Sequence, residues 1–362
     1  MVTDNIVKPL LAWYDQNKRI LPWRENRDPY RIWVSEIMLQ QTRVEAVKPY
    51  YDRFLKQLPD VESLAEVQEE HLLKLWEGLG YYNRVKNMQK AALVMKDVYE
   101  GRMPEEYELL LQLPGIGSYT AGAIASIAFG KPVVAVDGNV LRIITRLTAD
   151  PSDILSEKFK KQVREQLLTI VPADRPGDFN QALMELGATV CLPNGAPKCH
   201  ACPWHDICMA RQQGRLDEIP YKKKKKPRVI EEKTVLLLRD GEKTLIRRRP
   251  DTGLLAGLFE FPLFDGRLSE KQIKLEAQNL GYHALYIEEL PSAVHIFSHK
   301  EWHMKGWLVK VEETGFSDVR KEEAGYHLVT PETIQSQYPI PSAFRAYTPY
   351  VDVALGNDRF LM

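Results

Sequence analysis

The sequence predicts a mainly α N-terminal domain organised around a helical hairpin, followed by a smaller domain of α+β type. Three observations predict this. Up to about residue 219 the apolar residues recur at helical spacing. A lysine run, Lys222 to Lys226, then ends in Pro227-Arg228 and reads first as a solvated linker, second as a contact to a phosphate backbone. Beyond it, short runs such as Thr234 to Leu238 and Lys243 to Arg249 flank Arg239-Asp240-Gly241-Glu242, which is the pattern of a β-hairpin. The expected boundaries are 1–219, a linker at 220–229, and 230–362. A chain of 362 residues has room for two such domains.

Taken in order, residues 3–18 form an amphipathic pattern with Ile6, Leu10, Leu11 and Trp13 on its apolar side. Leu21-Pro22-Trp23-Arg24 then reads as a loop carrying an exposed aromatic beside a cation. Asp28-Pro29 is a helix start, with Asp as N-cap and Pro at the first helical position. The helix runs from Tyr30 to about Gln41 and is apolar nearly all round, so it is buried. Glu36 lies inside it. A carboxylate there is costly unless it is paired or protonated, and desolvation raises its pKa toward the range a general acid needs. A structural Glu with a backbone or Arg partner is the plainer alternative. Leu39-Gln40-Gln41-Thr42 closes the helix with groups suited to base edges or the backbone, and equally to a plain polar C-terminus.

Helical patterns follow at Val44–Leu58, Val61–Glu77 and Arg84–Tyr99. Between the last two, Gly78-Leu79-Gly80-Tyr81-Tyr82 is a tight loop that presents an aromatic. Such a residue can wedge between bases, or simply pack a turn. Leu113-Pro114-Gly115-Ile116-Gly117 is the hairpin turn. Without a Cβ, Gly115 and Gly117 permit positive φ and close approach of another backbone. Its N–H groups and the N-terminus of the helix that follows suit an anion such as a DNA phosphate, and packing alone explains the glycines equally well. A small-residue helix, Thr120 to Phe129, leads to a strand-like crossing and then to Val136-Asp137-Gly138-Asn139, where Asp137 caps the helix Val140–Leu147. Asp178 is expected to open a further helix, with Phe179, Ala182, Leu183, Leu186 and Val190 on its apolar side.

All four cysteines lie in one stretch: Cys191, Cys199, Cys202 and Cys208. A secreted disulfide framework would spread them along the chain, so the cluster reads as a metal or iron–sulfur site. Zinc more often shows two close pairs, and the compact, uneven spacing leans to [4Fe–4S]. Lys198, His200, Arg211 and Arg215 flank it and are placed to face phosphate. In the C-terminal part, Gly257 to Pro262 is a strand end, Gln272–Leu280 is helical, and Ala293–Ser298 and Trp302–Lys310 are strands. Basic and acidic residues balance at 49 each, so any attraction to DNA must come from local patches. No apolar run approaches the roughly 20 residues of a membrane span, and the first residues lack a signal-peptide pattern. A cytosolic protein without membrane contact is expected.

Ser35-Glu36-Ile37-Met38-Leu39-Gln40-Gln41-Thr42, Gly78-Leu79-Gly80-Tyr81-Tyr82, Leu113-Pro114-Gly115-Ile116-Gly117, Val136-Asp137-Gly138-Asn139 and the four-cysteine loop resemble, in the same order, the motifs of MutY-type adenine DNA glycosylases. That family belongs to the helix-hairpin-helix glycosylases related to endonuclease III. The resemblance implies a helix-hairpin-helix glycosylase domain with an iron–sulfur loop and a Nudix-like C-terminal domain. It implies removal of adenine mispaired with 8-oxoguanine or guanine in double-stranded DNA, by a protein expected to act as a monomer. By that likeness Glu36 is the acid, Asp137 stabilises the sugar cation, and Tyr119 and Asn139 position the sugar and Asp137. Trp23, Arg24, Leu39 and Gln181 line the adenine pocket. Gln41, Thr42 and Tyr81 fill or hold the space around the orphaned partner, Leu79 is among the adenine- or DNA-binding residues, Gly115 and Gly117 grip phosphate, and Phe297-Ser298-His299 reads 8-oxoguanine. The cysteines resemble the family's [4Fe–4S] ligands.

Three departures sharpen this. Bifunctional relatives carry a lysine nucleophile where this chain has Tyr119, and a phenol cannot form a Schiff base, so no lyase step is expected. No R-E-x-x-E-E run follows Gly257–Pro262, so the second domain should bind rather than hydrolyse. The family has one residue fewer between its first two cysteines, and the extra one falls in the Leu192–Lys198 loop. Three other readings compete. A bifunctional enzyme acting on oxidised pyrimidines is disfavoured by Tyr119 and the added domain. A non-catalytic DNA-binding module is disfavoured by Glu36, and a Nudix hydrolase by the missing run.

Overall fold

The computed structural model describes residues 2–223, 227–313 and 325–356. Lys224 to Lys226 of the lysine run fall outside the described residues. The chain forms two compact units, Met1–Glu66 with Asn87–Lys225, and Val67–Lys86 with Lys226–Met362. Among the described residues no helix is long and apolar enough to cross a membrane.

The first unit is helical. Helix Val7–Asn17 follows a short 3-10 turn at Asp4–Ile6 and buries Val7, Leu10, Leu11 and Tyr14. Helix Pro29–Leu39 starts where Asp28-Pro29 predicts. The Asp28 carboxylate accepts from the backbone N–H groups of Tyr30 and Arg31 at 2.8 and 3.1 Å. These satisfy two of the donors that a helix start leaves orphaned.

The run expected at Val61–Glu77 is two helices, Val61–Glu66 and Glu69–Leu75. The apolar stripe of Val61, Leu64 and Ala65 would next reach position 68. That residue is Gln68, which is exposed and extended, so the helix stops and restarts there. The two pieces belong to different units.

The hairpin has a one-turn first arm, Tyr107–Leu110, then the glycine turn, then helix Ser118–Ile127. The crossing that follows is not a strand. Buried Asn180 supplies the hydrogen bonds that a neighbouring strand would, accepting from Ala135 N at 2.9 Å and donating to Val133 O at 2.8 Å. Helix Gly138–Thr148 is capped by Asp137 as expected. Helix Glu157–Leu168 had no counterpart in the sequence reading. The helix expected from Asp178 begins earlier, at Pro176, because proline fills its first position; Asp178 sits in the first turn, paired with Arg175. One apolar core joins helices Val7–Asn17, Gly138–Thr148, Glu157–Leu168 and Pro176–Thr189.

Among the described residues the second unit is built on a seven-stranded sheet of β1 (Val229–Asp240), β2 (Lys243–Arg248), β3 (Phe259–Glu260), β4 (Leu263–Asp265), β5 (Tyr282–Ile296), β6 (Lys300–Glu313) and β7 (Tyr326–Val329). Its order is β3-β2-β1-β6-β5, with β4 paired to β1 and β7 to β2. β1 and β2 form the expected antiparallel hairpin, and β1 runs parallel to β6. Along β1, Val235 and Leu237 enter one apolar cluster while Leu236 and Leu238 enter another. Successive side chains point to opposite faces, so both faces of the sheet are covered. Ile273 and Ala277 of helix Glu270–Asn279 pack on one face. Ile334, Phe344, Tyr347 and Val351 pack on the other.

Candidate active site

Glu36 lies in the first unit on helix Pro29–Leu39, which packs against helix Ser118–Ile127. The residue is 7% exposed. The Tyr119 hydroxyl donates to Glu36 Oε2 at 2.6 Å and lies 3.4 Å from Met184 Sδ. Desolvation pushes the Glu36 carboxyl up to about 7; the nearby Asp137 carboxylate also raises it, while the Tyr119 hydrogen bond and the Arg24 charge pull it back. Burial and the Glu36 charge hold the Tyr119 phenol well above its ordinary value, so it stays a neutral donor.

Asp137 is set by two amides. Oδ1 accepts from Val140 N at 2.8 Å and Oδ2 from Asn139 Nδ2 at 2.7 Å. Burial raises its pKa, and those hydrogen bonds together with Arg142 oppose the rise. The two carboxyls are near enough to act on one another, yet only Asp137 is held by backbone and amide donors. Burial raises both, and at Asp137 the hydrogen bonds and Arg142 work against that rise in favour of the carboxylate.

The residues around this pair were partly missed by sequence reasoning. Buried Glu185 takes Arg19 Nε at 2.6 Å and Arg24 Nη2 at 2.8 Å. Arg142 donates to Asn139 Oδ1 at 2.8 Å, to Gly187 O at 2.7 Å and to Cys191 O at 2.9 Å. The available signal was two arginines one turn apart, Arg142 and Arg146, on a helix whose other buried residues are Val140, Leu141, Ile143, Ile144, Thr145 and Leu147.

Trp23 is not the exposed aromatic expected. It is buried and meets Tyr51 edge to face at 5.4 Å, because its 3-10 turn folds inward over that ring. Gln41 is exposed with φ 59°, and Thr42 is half-buried at the same helix end as Leu39. Gln181 is half-buried on helix Pro176–Thr189, the helix that carries Met184 and Glu185. Gly115 has φ 77°, and a Cβ there would stand 2.7 Å from Asn87 Cβ, so fold geometry alone requires glycine. At Gly117 a Cβ would meet nothing within 4 Å.

In the second unit, Leu79 is buried and Tyr81 is 49% exposed. A cavity of about 470 Å³ is lined by Gly80–Arg84, Gly253–Ala256, His295–His299 and Pro341–Ala343. The turn between β5 and β6 supplies Phe297, Ser298 and His299. Its Phe297 N donates to Lys300 O at 2.9 Å, and Ser298 and His299 are exposed.

The four cysteines line one small cavity of about 20 Å³, with Arg211 and His205 beside them. Arg146 Nη1 lies 3.3 Å from Cys191 Sγ. Among the described residues no group of three or more His, Cys, Asp or Glu side chains is drawn together as a metal site. Burial pushes the Cys202 thiol up to about 12 and those of Cys199 and Cys208 in the same direction. The donor chemistry of four thiols round one void with arginine behind it fits a group that takes four thiolates.

Residues 34–172 match the HhH-GPD superfamily of base excision DNA repair proteins, and residues 234–348 match the NUDIX domain. The first unit is similar in structure to a thermostable thymine-DNA glycosylase, with a TM-score of 0.53 and 31% identity over 58% of this chain and 96% of that one. A non-covalent endonuclease III–DNA complex shares the fold at a TM-score of 0.50 and 24% identity, covering 59% of this chain and all (100%) of that one. Helical glycosylase architecture joined to a NUDIX domain defines the class.

Adenine DNA glycosylases of known sequence resemble the chain along most of its length. Identity is 39% with that of Mus musculus, over 80% of this chain and 67% of the mouse protein. It is 32% with that of Buchnera aphidicola (subsp. Acyrthosiphon pisum), over 91% of this chain and 94% of that protein. The chain belongs to the adenine DNA glycosylase family. It spans 64% of the length of the Homo sapiens relative, to which it is 38% identical over 80% of its own length.

Proposed function

We propose that this chain removes adenine mispaired with 8-oxoguanine or guanine from double-stranded DNA, by hydrolysis and without cutting the strand. The carrying observation is the pairing of a buried carboxyl raised to about 7, Glu36, with Asp137, which two hydrogen bonds hold toward its anionic form. Adenine is flipped from the stack into the pocket. Glu36 gives its proton to a ring nitrogen of the base. The bond from base to C1′ breaks, its electron pair leaving with adenine, and Asp137 faces the positive charge that develops at the sugar. Water attacks C1′ and gives a proton to the Glu36 carboxylate, which restores the acid and leaves an abasic site. Tyr119 orients Glu36, and Asn139 orients Asp137.

Trp23, Arg24, Leu39 and Gln181 line the adenine pocket in this reading, and Gly115 and Gly117 lie against phosphate. Gln41, Thr42 and Tyr81 hold the orphaned partner's side, Leu79 is among the adenine- or DNA-binding residues, and Phe297, Ser298 and His299 read 8-oxoguanine. Cys191, Cys199, Cys202 and Cys208 hold a [4Fe–4S] cluster. When bound, that group supplies a rigid cross-link of its loop. The protein works as a monomer on its DNA.

Duplexes carrying adenine opposite 8-oxoguanine, adenine opposite guanine, or thymine glycol test the reading together. Abasic sites at adenine, cleaved only after alkali, support it; release of thymine glycol with strand cleavage before alkali overturns it.

A further inference from the structure

Val67–Lys86 lies between helices of the first unit in sequence but packs in the second. Its seat there includes a buried ion pair. Lys74 Nζ donates to Glu77 Oε1 at 3.2 Å, and the two side chains are 7% and 1% exposed. The same ammonium donates to Ile334 O at 2.9 Å and to Tyr338 O at 2.8 Å, backbone carbonyls at the end of helix Pro331–Gln337. Glu77 Oε1 accepts from Ile340 N at 2.8 Å. Both side chains thus fasten one stretch, residues 334–340, to the segment that leads into the Tyr81 loop.

What the pair joins is two walls of one cavity. Gly80–Arg84 begins just after Glu77, and Pro341–Ala343 begins just after Ile340; both line the 470 Å³ cavity that His295–His299 also lines. The loop is braced within itself, since Trp76 Nε1 donates to Gly80 O at 3.1 Å and Arg84 Nη2 to Leu79 O at 3.1 Å. Lys74 and Glu77 tie it to the opposite wall by hydrogen bonds to Ile334 O, Tyr338 O and Ile340 N. An apolar pair of similar volume would hold two packed surfaces at least as firmly, because burying charges is costly. Directional bonds to three backbone groups fix a position, which packing alone does not.

We propose that Lys74 and Glu77 are positioning residues for recognition of the base opposite adenine, setting the Tyr81 loop and the residue 341–343 wall at the spacing that base requires. This rests on the assignment of Tyr81 and residues 297–299 to the partner base. The bond to be made or broken lies elsewhere, so the pair acts on discrimination and not on chemistry.

The test uses the full chain, with single-turnover excision of adenine opposite 8-oxoguanine and opposite guanine, together with thermal unfolding. Lys74→Met leaves two carbonyls without their donor; Glu77→Gln is milder and keeps an acceptor for Ile340 N. The excision rate opposite guanine should stay within about twofold of wild type, while the preference for 8-oxoguanine falls roughly fivefold or more in Lys74→Met. The double variant should be no worse than Lys74→Met alone, and Lys74→Arg should restore most of the preference. Should Lys74→Met not fold, Glu77→Gln carries the test with a smaller fall in the same ratio. An unchanged ratio in the folded variants overturns the proposal, as does an equal loss on both substrates that tracks the drop in Tm. A wild-type ratio of one overturns the partner-base assignment itself, and the positioning role with it, and is read before any variant is made.

Discussion

The Tyr119 hydroxyl sits 2.6 Å from Glu36 Oε2 and donates to it. In the proposed reaction this phenol would orient the acid, and it offers no amine to form a covalent sugar adduct. Tyr119→Lys is expected to yield some strand nicking and an adduct trapped by borohydride. Duplex that stays intact and untrapped would count against that account of the missing lyase step.

Burial raises the Glu36 carboxyl to about 7, and in the proposed reaction that group would set the pH dependence. If protonated Glu36 is required, excision falls as pH rises through about 7. Tyr119 lowers the Glu36 pKa, so Tyr119→Phe should move that alkaline limb to higher pH. The stability sign follows from the same shift. A folded pKa above the ordinary 4.5 favours the fold below that value, and the contribution is lost as pH rises toward 7. Glu36→Gln should abolish excision, retain binding to the mispair and flatten stability between pH 5 and 7. Urea titrations of both proteins at several pH values check the last point, and full turnover by the variant removes Glu36 as the acid.

Asp137→Asn keeps an acceptor for Val140 N and so keeps the helix cap. The lost charge should slow excision by roughly 100-fold or more, and Tm should fall somewhat because the new amide meets Asn139 Nδ2 donor to donor. Asp137→Ala should in addition cost about 1 kcal/mol for the missing cap. A near-wild-type rate in the Asn variant removes the charge role.

Gly187 is the close neighbour of Asn139, and a Cβ there would stand 2.6 Å from Asn139 Cβ. Gly187→Ala should therefore displace the residue that holds Asp137, lowering the rate and costing about 1–3 kcal/mol. Gly117→Ala meets open space at φ −92°, so its fold should be unaffected. Weakened DNA binding by that variant at an unchanged Tm places a phosphate against the turn, and unchanged binding removes it.

Replacing Ser298 and His299 together should erode the preference for 8-oxoguanine over guanine while adenine excision opposite guanine persists. Competition between the two duplexes reads this directly, and an unaltered preference assigns the recognition to another loop. Separately, a visible absorption band that is lost in Cys202→Ser tests the four-thiolate cluster.

Much of the site was legible because its parts are local. Asp28-Pro29, the glycine turn and Asp137 each state a backbone geometry within a few residues, and Glu36 announces itself as a charge in an apolar helix. What was not legible depends on distant partners. Asn180 replaces a strand for residues 133–135, and Glu185 gathers Arg19 and Arg24 from far along the chain. Nothing local marks Trp23 as buried either, since its cover is the Tyr51 ring. The short strands β3, β4 and β7 carry too few residues to show a period of two, and β5 runs past a register shift between Leu290 and Ala293 that hides its length.

The break at Gln68 has a consequence for dissecting the molecule. A truncation after the cysteine loop does not liberate an intact N-terminal module; it strands an internal excursion whose natural bed has been deleted. A hybrid that pairs this helical half with a foreign tail would need to carry matching residues at both places.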